Sequence, residues 1–387
     1  MRAPKAVALF FLVGSVSACT SQDSAALPDG GRDASSAGDR SVSPPDTDAA
    51  TTPDGATSQK DGALESGASG DTGKSGDAAA AAWACPAGPF GSPIPTGATL
   101  ARIAAVPPSD AFNDSKAAGT TVEGPVWMGA QGLYDSEFLG SSNPPPSRIL
   151  DTTTSGSVSV AMTNSGSNGL AVDSSGTLYG AIHLDGSVSR IDVATGTRTP
   201  VASSYMGNRF NSPNDLTIRS DGNIYFSDPT YQAPTPPPQS STRVYRIAPV
   251  TNAVTVVDAT LTQPNGVTLS LDENTLYVTS THGLYTYPVM TDGSTGPGTV
   301  LLPDLNGDGM VIDCAGNIYV AVIGTGTVDV LSPTGTQIGQ LTATGVGAVT
   351  NTAFGGPDHT TLYVSAQGAG GQQGLFQVTL EIPGMPY

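Results

Sequence analysis

From about residue 120 onward, short apolar runs alternate with small polar clusters along the chain. The run Leu-Tyr-Val-Ser-Ala at 362–366, for example, is followed by Gln-Gly-Ala-Gly. Short runs rich in β-branched and aromatic residues predict β-strands, and the Gly-, Asp- and Ser-rich clusters between them predict turns. A helical solenoid would instead place apolar residues three and four positions apart. The pattern therefore predicts an all-β fold.

This strand pattern repeats six times. Each repeat begins with a polar residue, which is followed by a short apolar strand, a turn and a second strand. The six leading residues are Glu123, Asn168, Asn214, Asn265, Asp308 and Asn351. Their spacing of 43 to 51 residues is close to the roughly 40–50 residues of one four-stranded propeller blade. We therefore predict a six-bladed β-propeller over residues 83–387.

The leading residues are expected to surround the central axis, because the first strand of each propeller blade lies nearest the channel. Asn-Gly and Asp-Gly are also common turn signals, so any single one of them could be only a turn. Each blade has a separate hairpin turn, however, and Glu123 is not a turn former. Two carboxylates in a narrow channel would repel each other unless a cation lies between them. The ring therefore predicts a site for one divalent cation.

The side chains of this ring determine which cation is expected. Carboxylate and amide oxygens without Cys or His favour Ca²⁺. Mg²⁺ fits less well because it requires a stricter octahedron. Zn²⁺ remains an alternative occupant.

The N-terminal part of the chain has the features of an export signal. Basic Arg2 and Lys5 precede an apolar run, and small residues follow before Cys19, which predicts a signal peptide at 1–18. The sequence Val-Ser-Ala-Cys resembles the lipobox of bacterial lipoproteins, which implies lipidation of Cys19; an ordinary signal peptide with a chance cysteine is the alternative. We expect an exported lipoprotein, anchored in a membrane through Cys19 on the periplasmic face or at the cell surface.

Residues 19–82 are rich in Ala, Gly, Ser and Asp and contain no aromatic residue. Such a segment buries too little apolar surface to offset the entropy of ordering, so it is predicted to be a disordered acidic linker that precedes the propeller. Cys85 and Cys314 are the two remaining cysteines. In an oxidising compartment they could form a disulfide, although sequence alone does not place them within reach of each other.

Charge and lysine content exclude several functions. The net charge of −18 repels phosphate backbones, so nucleic acid is not expected as a partner. The last lysine is Lys116, which leaves the repeats without an amine for Schiff-base chemistry. We expect a monomer that acts on a small molecule.

Five motifs carry a resemblance to a known family. They are Glu123-Gly-Pro-Val-Trp, Asn211-Ser-Pro-Asn-Asp-Leu, Pro264-Asn-Gly-Val, Asp308-Gly-Met and Ala353-Phe-Gly-Gly-Pro-Asp. In this order they resemble the senescence marker protein/gluconolactonase/luciferin-regenerating enzyme family over residues 95–385. The resemblance implies that Glu123, Asn214, Asn265 and Asp308 bind one divalent ion. It also implies metal-assisted hydrolysis of a lactone, with Asp308 as the base toward water.

Four further residues are candidates for substrate binding. Asn168 belongs to the ring, and Arg209 and Asn211 lie in an Arg-Phe-Asn stretch that family members use near substrate. Asp228 could face the site from a strand end, but a strand-terminating Asp-Pro turn is the alternative. Arg209 could equally be a solvent-facing loop charge. The proline-rich segment 233–239 is either a lid over the site or a surface loop.

Two other functions are compatible with the same residues. One is hydrolysis of organophosphates or aryl esters at the same metal site, and the other is a non-catalytic binding propeller with a structural calcium. Ile182, just before His183, stands where lactonases often carry an acidic residue, which favours these alternatives. The complete set of four ligands favours lactone hydrolysis.

Overall fold

The computed structural model describes residues 83–105, 120–139, 143–153, 155–368 and 373–385. The predicted signal peptide, Cys19 and the linker lie outside these residues. Within the described part of the chain, no helix is long and apolar enough to cross a membrane. A single 3₁₀ turn, Gly129–Gln131, is the one helical element of the described residues.

Six antiparallel sheets of four strands each confirm the predicted six-bladed propeller. The first strand of the chain is β1 (Ala101–Ala105). Blade one consists of β2 (Thr120–Trp127), β3 (Leu133–Leu139), β4 (Ser147–Thr152) and β5 (Val158–Met162). Blade two consists of β6 (Ser167–Val172), β7 (Leu178–Ile182), β8 (Ser187–Asp192) and β9 (Thr197–Ala202). A small hairpin follows, formed by β10 (Ser204–Tyr205) and β11 (Asn208–Arg209).

The remaining four blades repeat the same order. Blade three consists of β12 (Leu216–Ile218), β13 (Ile224–Asp228), β14 (Arg243–Ile247) and β15 (Val254–Asp258). Blade four consists of β16 (Val267–Leu269), β17 (Thr275–Ser280), β18 (Gly283–Pro288) and β19 (Thr299–Pro303). Blade five consists of β20 (Gly307–Ile312), β21 (Ile318–Val322), β22 (Thr327–Leu331) and β23 (Gln337–Thr342). Blade six consists of β24 (Ala348–Gly355), β25 (Thr361–Gln367), β26 (Gly374–Thr379) and β1.

The two ends of the propeller meet in blade six, where β1 pairs antiparallel with β26 and supplies the outermost strand. The segment before β1 is fastened to blade five as well. Cys85 and Cys314 are joined in a disulfide with Cα atoms 5.4 Å apart, and the Tyr319 hydroxyl donates to the Pro93 carbonyl at 3.0 Å. The N-terminal segment therefore closes the ring of blades.

The apolar core lies between neighbouring blades. The second strands β7 and β13 are buried at every position, because sheets cover both of their faces. Outer strands such as β9 are half-exposed. Between blades two and three, Phe210 packs on Phe226 and Tyr245 with ring centroids 5.0 and 5.1 Å apart. Each such aromatic side chain contributes about 1.5–3 kcal/mol through its burial.

The first strands of the blades contact one another in a closed ring around the axis, β2 to β6, β12, β16, β20, β24 and back to β2. Glycine follows the leading residue in four blades and permits this close approach. A Cβ at Gly169 would lie 2.6 Å from an Asp215 carboxylate oxygen, and one at Gly309 would overlap the Asn351 side chain. These glycines, for which a simple turn was the alternative explanation, thus make room for side chains of the next blade.

Candidate metal centre

The four predicted ligands line one pocket at the end of the channel where the inner strands begin. The pocket has a volume of about 400 Å³. Glu123 lies on β2 and Asp308 on β20, while Asn214 and Asn265 stand just before β12 and β16. Each of the four residues is less than a tenth exposed. The structure therefore brings together side chains that are up to 185 positions apart in the sequence.

Backbone hydrogen bonds fix the positions of the two asparagines and of Asp308. The Asn214 N–H donates to the Ser227 carbonyl at 3.0 Å, and the Asn265 N–H donates to the Thr279 carbonyl at 2.9 Å. The Thr279 hydroxyl donates to the Asp308 carbonyl at 2.8 Å. These bonds connect the backbone at Asn214, Asn265 and Asp308 to the second strands β13 and β17. The backbone beside these three side chains is therefore held in place by hydrogen bonds.

The pocket concentrates negative charge. Burial, the Asp308 carboxylate and the nearby Asp215 carboxylate raise the pKa of Glu123 well above its usual range. Burial and Asp215 do the same to the pKa of Asp308. Asp215 is itself buried, and desolvation raises its pKa to about 7. Three acids that share a desolvated site favour either protons or a cation.

The residues present fit a hard divalent cation. The Asn265 Oδ1 atom is buried and has no hydrogen-bond partner, which leaves one amide oxygen free to act as a ligand. The predicted set contains two carboxylates and two amides, and since no metal-binding group of three or more His, Cys, Asp or Glu side chains is found among the described residues, a cation here would depend on the amide oxygens as well. An oxygen-only donor set of this kind suits Ca²⁺ or Mg²⁺ better than thiophilic metals.

The rest of the pocket wall is mostly polar and uncharged. Its other lining residues are Thr121, Phe138, Asn143, Pro145, Tyr231, Gln232, Ile323, Thr350 and Gln367. They come from the starts of inner strands, from the ends of the second strands β3 and β25, and from loops at the same end of the propeller. A small polar molecule that enters this pocket would meet amide and hydroxyl groups beside the carboxylates.

The predicted substrate-binding residues do not line this pocket. Asn168 is 1% exposed, and neither its amide oxygen nor its amide nitrogen has a hydrogen-bond partner. The Arg209 guanidinium donates to the carbonyls of His183, at 3.0 Å, and Leu184, at 3.3 Å. Arg209 therefore ties two loops together and is not a free loop charge.

Asp228 and Asn211 form a brace beside the pocket. The Asp228 carboxylate accepts from the backbone N–H groups of Asn211 and Ser212 at 2.9 and 2.8 Å. The Asn211 side chain accepts from the Gln239 N–H at 2.8 Å and donates to the Ser241 carbonyl at 3.2 Å. Desolvation raises the pKa of Asp228 to about 7. These contacts shape the loops around the site, and a direct contact of Asp228 or Asn211 with substrate stays a prediction.

The proline-rich segment 233–239 is anchored on the β10–β11 hairpin. The Gln239 side-chain amide donates to the carbonyls of Tyr205, Asn208 and Arg209 at 2.8 to 3.2 Å. Ala233 at the other end of the segment is buried. The segment therefore rests on the hairpin, and its neighbours Tyr231 and Gln232 are the residues that reach the pocket.

His183 lies one layer behind the pocket wall. Its Nε2 lies 2.9 Å from the Pro145 carbonyl, and its ring meets Phe138 edge-on at 5.2 Å. Burial lowers the pKa of His183 to about 4, so the ring is neutral at physiological pH. Pro145 and Phe138 both line the pocket, and His183 supports that wall.

Asp215 and Tyr231 lie at the site but were not predicted from the sequence. Asp215 follows Asn214 at a position where four other blades carry glycine. An alignment of the repeats shows this exception, and it could have indicated Asp215. Tyr231 lies three residues after Asp228 in the Ser-Asp-Pro-Thr-Tyr stretch. Nothing in the repeat pattern indicates that its loop turns toward the axis.

The sequence of the propeller also matches a known protein family. The family model for the SMP-30/gluconolactonase/LRE-like region matches residues 121–368. The chain belongs to this family. The match covers the inner strands of all six blades, and with them all four predicted ligands.

Several members and neighbours of the SMP-30/gluconolactonase/LRE-like family are similar to this chain. A gluconolactonase of Zymomonas mobilis subsp. mobilis is 29% identical over 282 residues, which cover 63% of this chain and 75% of that protein. A solved gluconolactonase from Xanthomonas campestris has a TM-score of 0.59 and 28% identity, covering 76% of this chain and 98% of its own. The calcium-binding protein regucalcin from Agrobacterium tumefaciens has a TM-score of 0.55 and 26% identity, covering 69% and 95%.

Proposed function

We propose that this chain is a divalent-metal-dependent hydrolase that opens a lactone ring, with Ca²⁺ as its metal. The observation that carries the proposal is the convergence of Glu123, Asn214, Asn265 and Asp308 on one open pocket. Membership of a family that includes gluconolactonases supports the reaction class. The calcium-binding neighbour supports the choice of ion.

The residues of the pocket have distinct roles in this proposal. Glu123, Asn214, Asn265 and Asp308 would hold the ion through side-chain oxygens. When bound, a divalent cation polarises an ester carbonyl and stabilises the oxyanion that forms on it. Asp308 takes the proton of the attacking water, because a carboxylate beside the reacting carbonyl can act as a general base. The buried Asp215 adds negative charge near Glu123 and Asp308 and favours cation binding.

The proposal is tested with purified protein, by measuring its bound metal and its hydrolysis of sugar lactones, aliphatic lactones and aryl esters with and without chelator. We expect lactone hydrolysis that chelation abolishes and Ca²⁺ restores. Preference for aryl esters or organophosphates would replace the substrate class. A chain that hydrolyses none of these, yet loses thermal stability on chelation, would have a structural ion only.

We further propose that the protein is exported and anchored through a lipidated Cys19, from the signal-peptide and lipobox pattern of the sequence. Mass spectrometry of the N-terminal peptide from membrane fractions tests this. The expected result is a diacylglyceryl-modified Cys19 as the first residue, and a Cys19→Ala variant released from the membrane. An unmodified cysteine in a membrane-free fraction would contradict it.

A further inference from the structure

Tyr231 occupies a position at the pocket that none of the predicted roles covers. Its side chain lines the pocket together with all four candidate ligands and is 37% exposed. The phenol lies near the Asn265 side chain and near the carboxylates of Asp308 and Glu123. Tyr231 therefore lies beside the reacting centre and is open to the pocket.

The other hydroxyl groups of the wall are less accessible. Thr121 and Thr350 also line the pocket, but they are 7% and 3% exposed. The Thr350 hydroxyl donates to the Val122 carbonyl. Of the three described hydroxyl-bearing residues in the wall, Tyr231 is the one that presents an open donor to a molecule in the pocket.

Hydrogen bonds to two other segments of the chain hold the loop that carries Tyr231. The Thr230 N–H donates to the Gln263 side chain at 2.9 Å, which links the loop to the segment that carries Asn265. On the other side, the Ser212 hydroxyl donates to the Pro229 carbonyl at 2.7 Å. A side chain held in this way needs little ordering on binding, so its hydrogen bond adds to affinity.

Tyr231 is also a hydrogen-bond donor by its chemistry. A phenol, with an ordinary pKa of about 10, is protonated at neutral pH. It meets an acceptor on a substrate without the charge that a lysine or arginine would bring. The ester group of a lactone offers only acceptors.

We infer that Tyr231 contacts the substrate directly and donates a hydrogen bond from its hydroxyl to the ester group of the lactone bound at the metal centre. This inference rests on the proposed function for the identity of the substrate. It assigns Tyr231 to substrate positioning and not to the metal, because the oxygen ligands of Ca²⁺ in proteins are carboxylates, carbonyl groups and water, and a neutral phenol is not among them.

The test compares the wild-type chain with Tyr231→Phe, which removes only the hydroxyl. Tyr285→Phe on β18 is the matched control. This tyrosine is partly buried against an apolar cluster of the core and does not line the pocket. Calorimetry measures the affinity for D-glucono-δ-lactam, a non-hydrolysable lactone mimic, in the presence of Ca²⁺. The affinity for Ca²⁺ alone and the melting temperature are measured on the same samples.

For Tyr231→Phe we expect about tenfold weaker lactam binding and about tenfold lower kcat/KM on the lactone, the size of one hydrogen bond. Ca²⁺ affinity and melting temperature should match the control. Unchanged lactam affinity overturns the inference, and so does a parallel loss of Ca²⁺ affinity, which would assign Tyr231 to the metal. If the wild type hydrolyses no lactone, the proposed function fails. Lactam binding then tests the role of Tyr231 by itself. If wild type and variant bind the lactam equally well, or if neither binds it, the role of Tyr231 is rejected.

Discussion

Two groups of buried carboxylates in this molecule have similar burial and different surroundings. Glu123 and Asp308 lie at the mouth of the channel, and Asp135 and Glu137 lie inside blade one on β3. Burial and neighbouring acids raise the pKa of Glu123, Asp308 and Asp135 well above their usual ranges. Burial and a raised pKa are therefore common to both groups.

The two groups of carboxylates differ in the side chains that surround them. In blade one, the Arg148 guanidinium pairs with Glu137 at 2.5 Å, and both side chains are at most 3% exposed. Both Asp135 oxygens are buried without a hydrogen-bond partner. At the channel mouth, amide side chains and an open pocket surround the acids. The open pocket and the amide oxygens, not burial, indicate a cation site.

The largest effect should come from Asp308→Asn, which removes the proposed base and one charged ligand. We expect kcat to fall by about 10²–10⁴-fold, the usual contribution of a general base, and Ca²⁺ to bind more weakly. Steady-state kinetics and calorimetry measure the two effects. Asp135→Asn is the matched control at the other group, and it should leave both unchanged. Full activity in Asp308→Asn would remove Asp308 from the mechanism.

Arg148→Met tests whether the acids of blade one are held by an ion pair instead of a metal. It leaves the buried Glu137 charge without its arginine, which typically costs about 3–5 kcal/mol. Urea unfolding measures the loss in free energy of unfolding. Ca²⁺ affinity should not change.

The control is Arg198→Met, because Arg198 pairs with Asp185 nearer the surface, where the two side chains are 23% and 47% exposed. Exposed pairs contribute about 0–1 kcal/mol. Equal losses in the two variants would show that burial of the Arg148 pair has no special effect.

Asp135→Asn should stabilise the protein at neutral pH. Because its folded pKa is raised, wild-type Asp135 is favoured as a neutral acid, and stability is lost as pH rises from the unfolded pKa of about 3.9 toward the folded one. The variant avoids this loss, by about 1–3 kcal/mol for a buried group without partners.

Unfolding curves at pH 4 and pH 7 measure the difference between wild type and variant. It should be near zero at pH 4 and favour the variant at pH 7. Asp192→Asn provides the control, because Asp192 is exposed on β8 and its pKa is lowered by hydrogen bonds from Thr195. A gain from that substitution as large as the one from Asp135→Asn would argue for a general charge effect.

The comparison of the two groups also shows what sequence could predict. Period and leading residues were enough for six blades and for the convergence of Glu123 and Asp308, because the channel is built from equivalent positions of a repeat. Tyr231 could not be predicted, since its loop is placed by contacts of Thr230 and Ser212 that belong to no repeat. Asp135 lies in a strand where alternation alone does not distinguish a paired acid from an unpaired one.

The smallest expected effect concerns protons released by cation binding. In the metal-free fold, Glu123 and Asp308 have raised pKa values, so they retain protons at pH values where ordinary carboxylates are ionised. A cation requires the ionised forms, and its binding therefore expels protons. Ca²⁺ affinity should increase with pH, by about tenfold per unit for each proton released.

Calorimetry in buffers of different ionisation enthalpy counts these protons directly. Asp308→Asn should release fewer protons than wild type, because it removes one of the two coupled acids, whereas Asp135→Asn should release the same number. An affinity for Ca²⁺ that stays constant with pH above the range in which ordinary carboxylates titrate would mean that the channel acids are already ionised. The two groups of buried carboxylates would then differ in protonation as well as in surroundings.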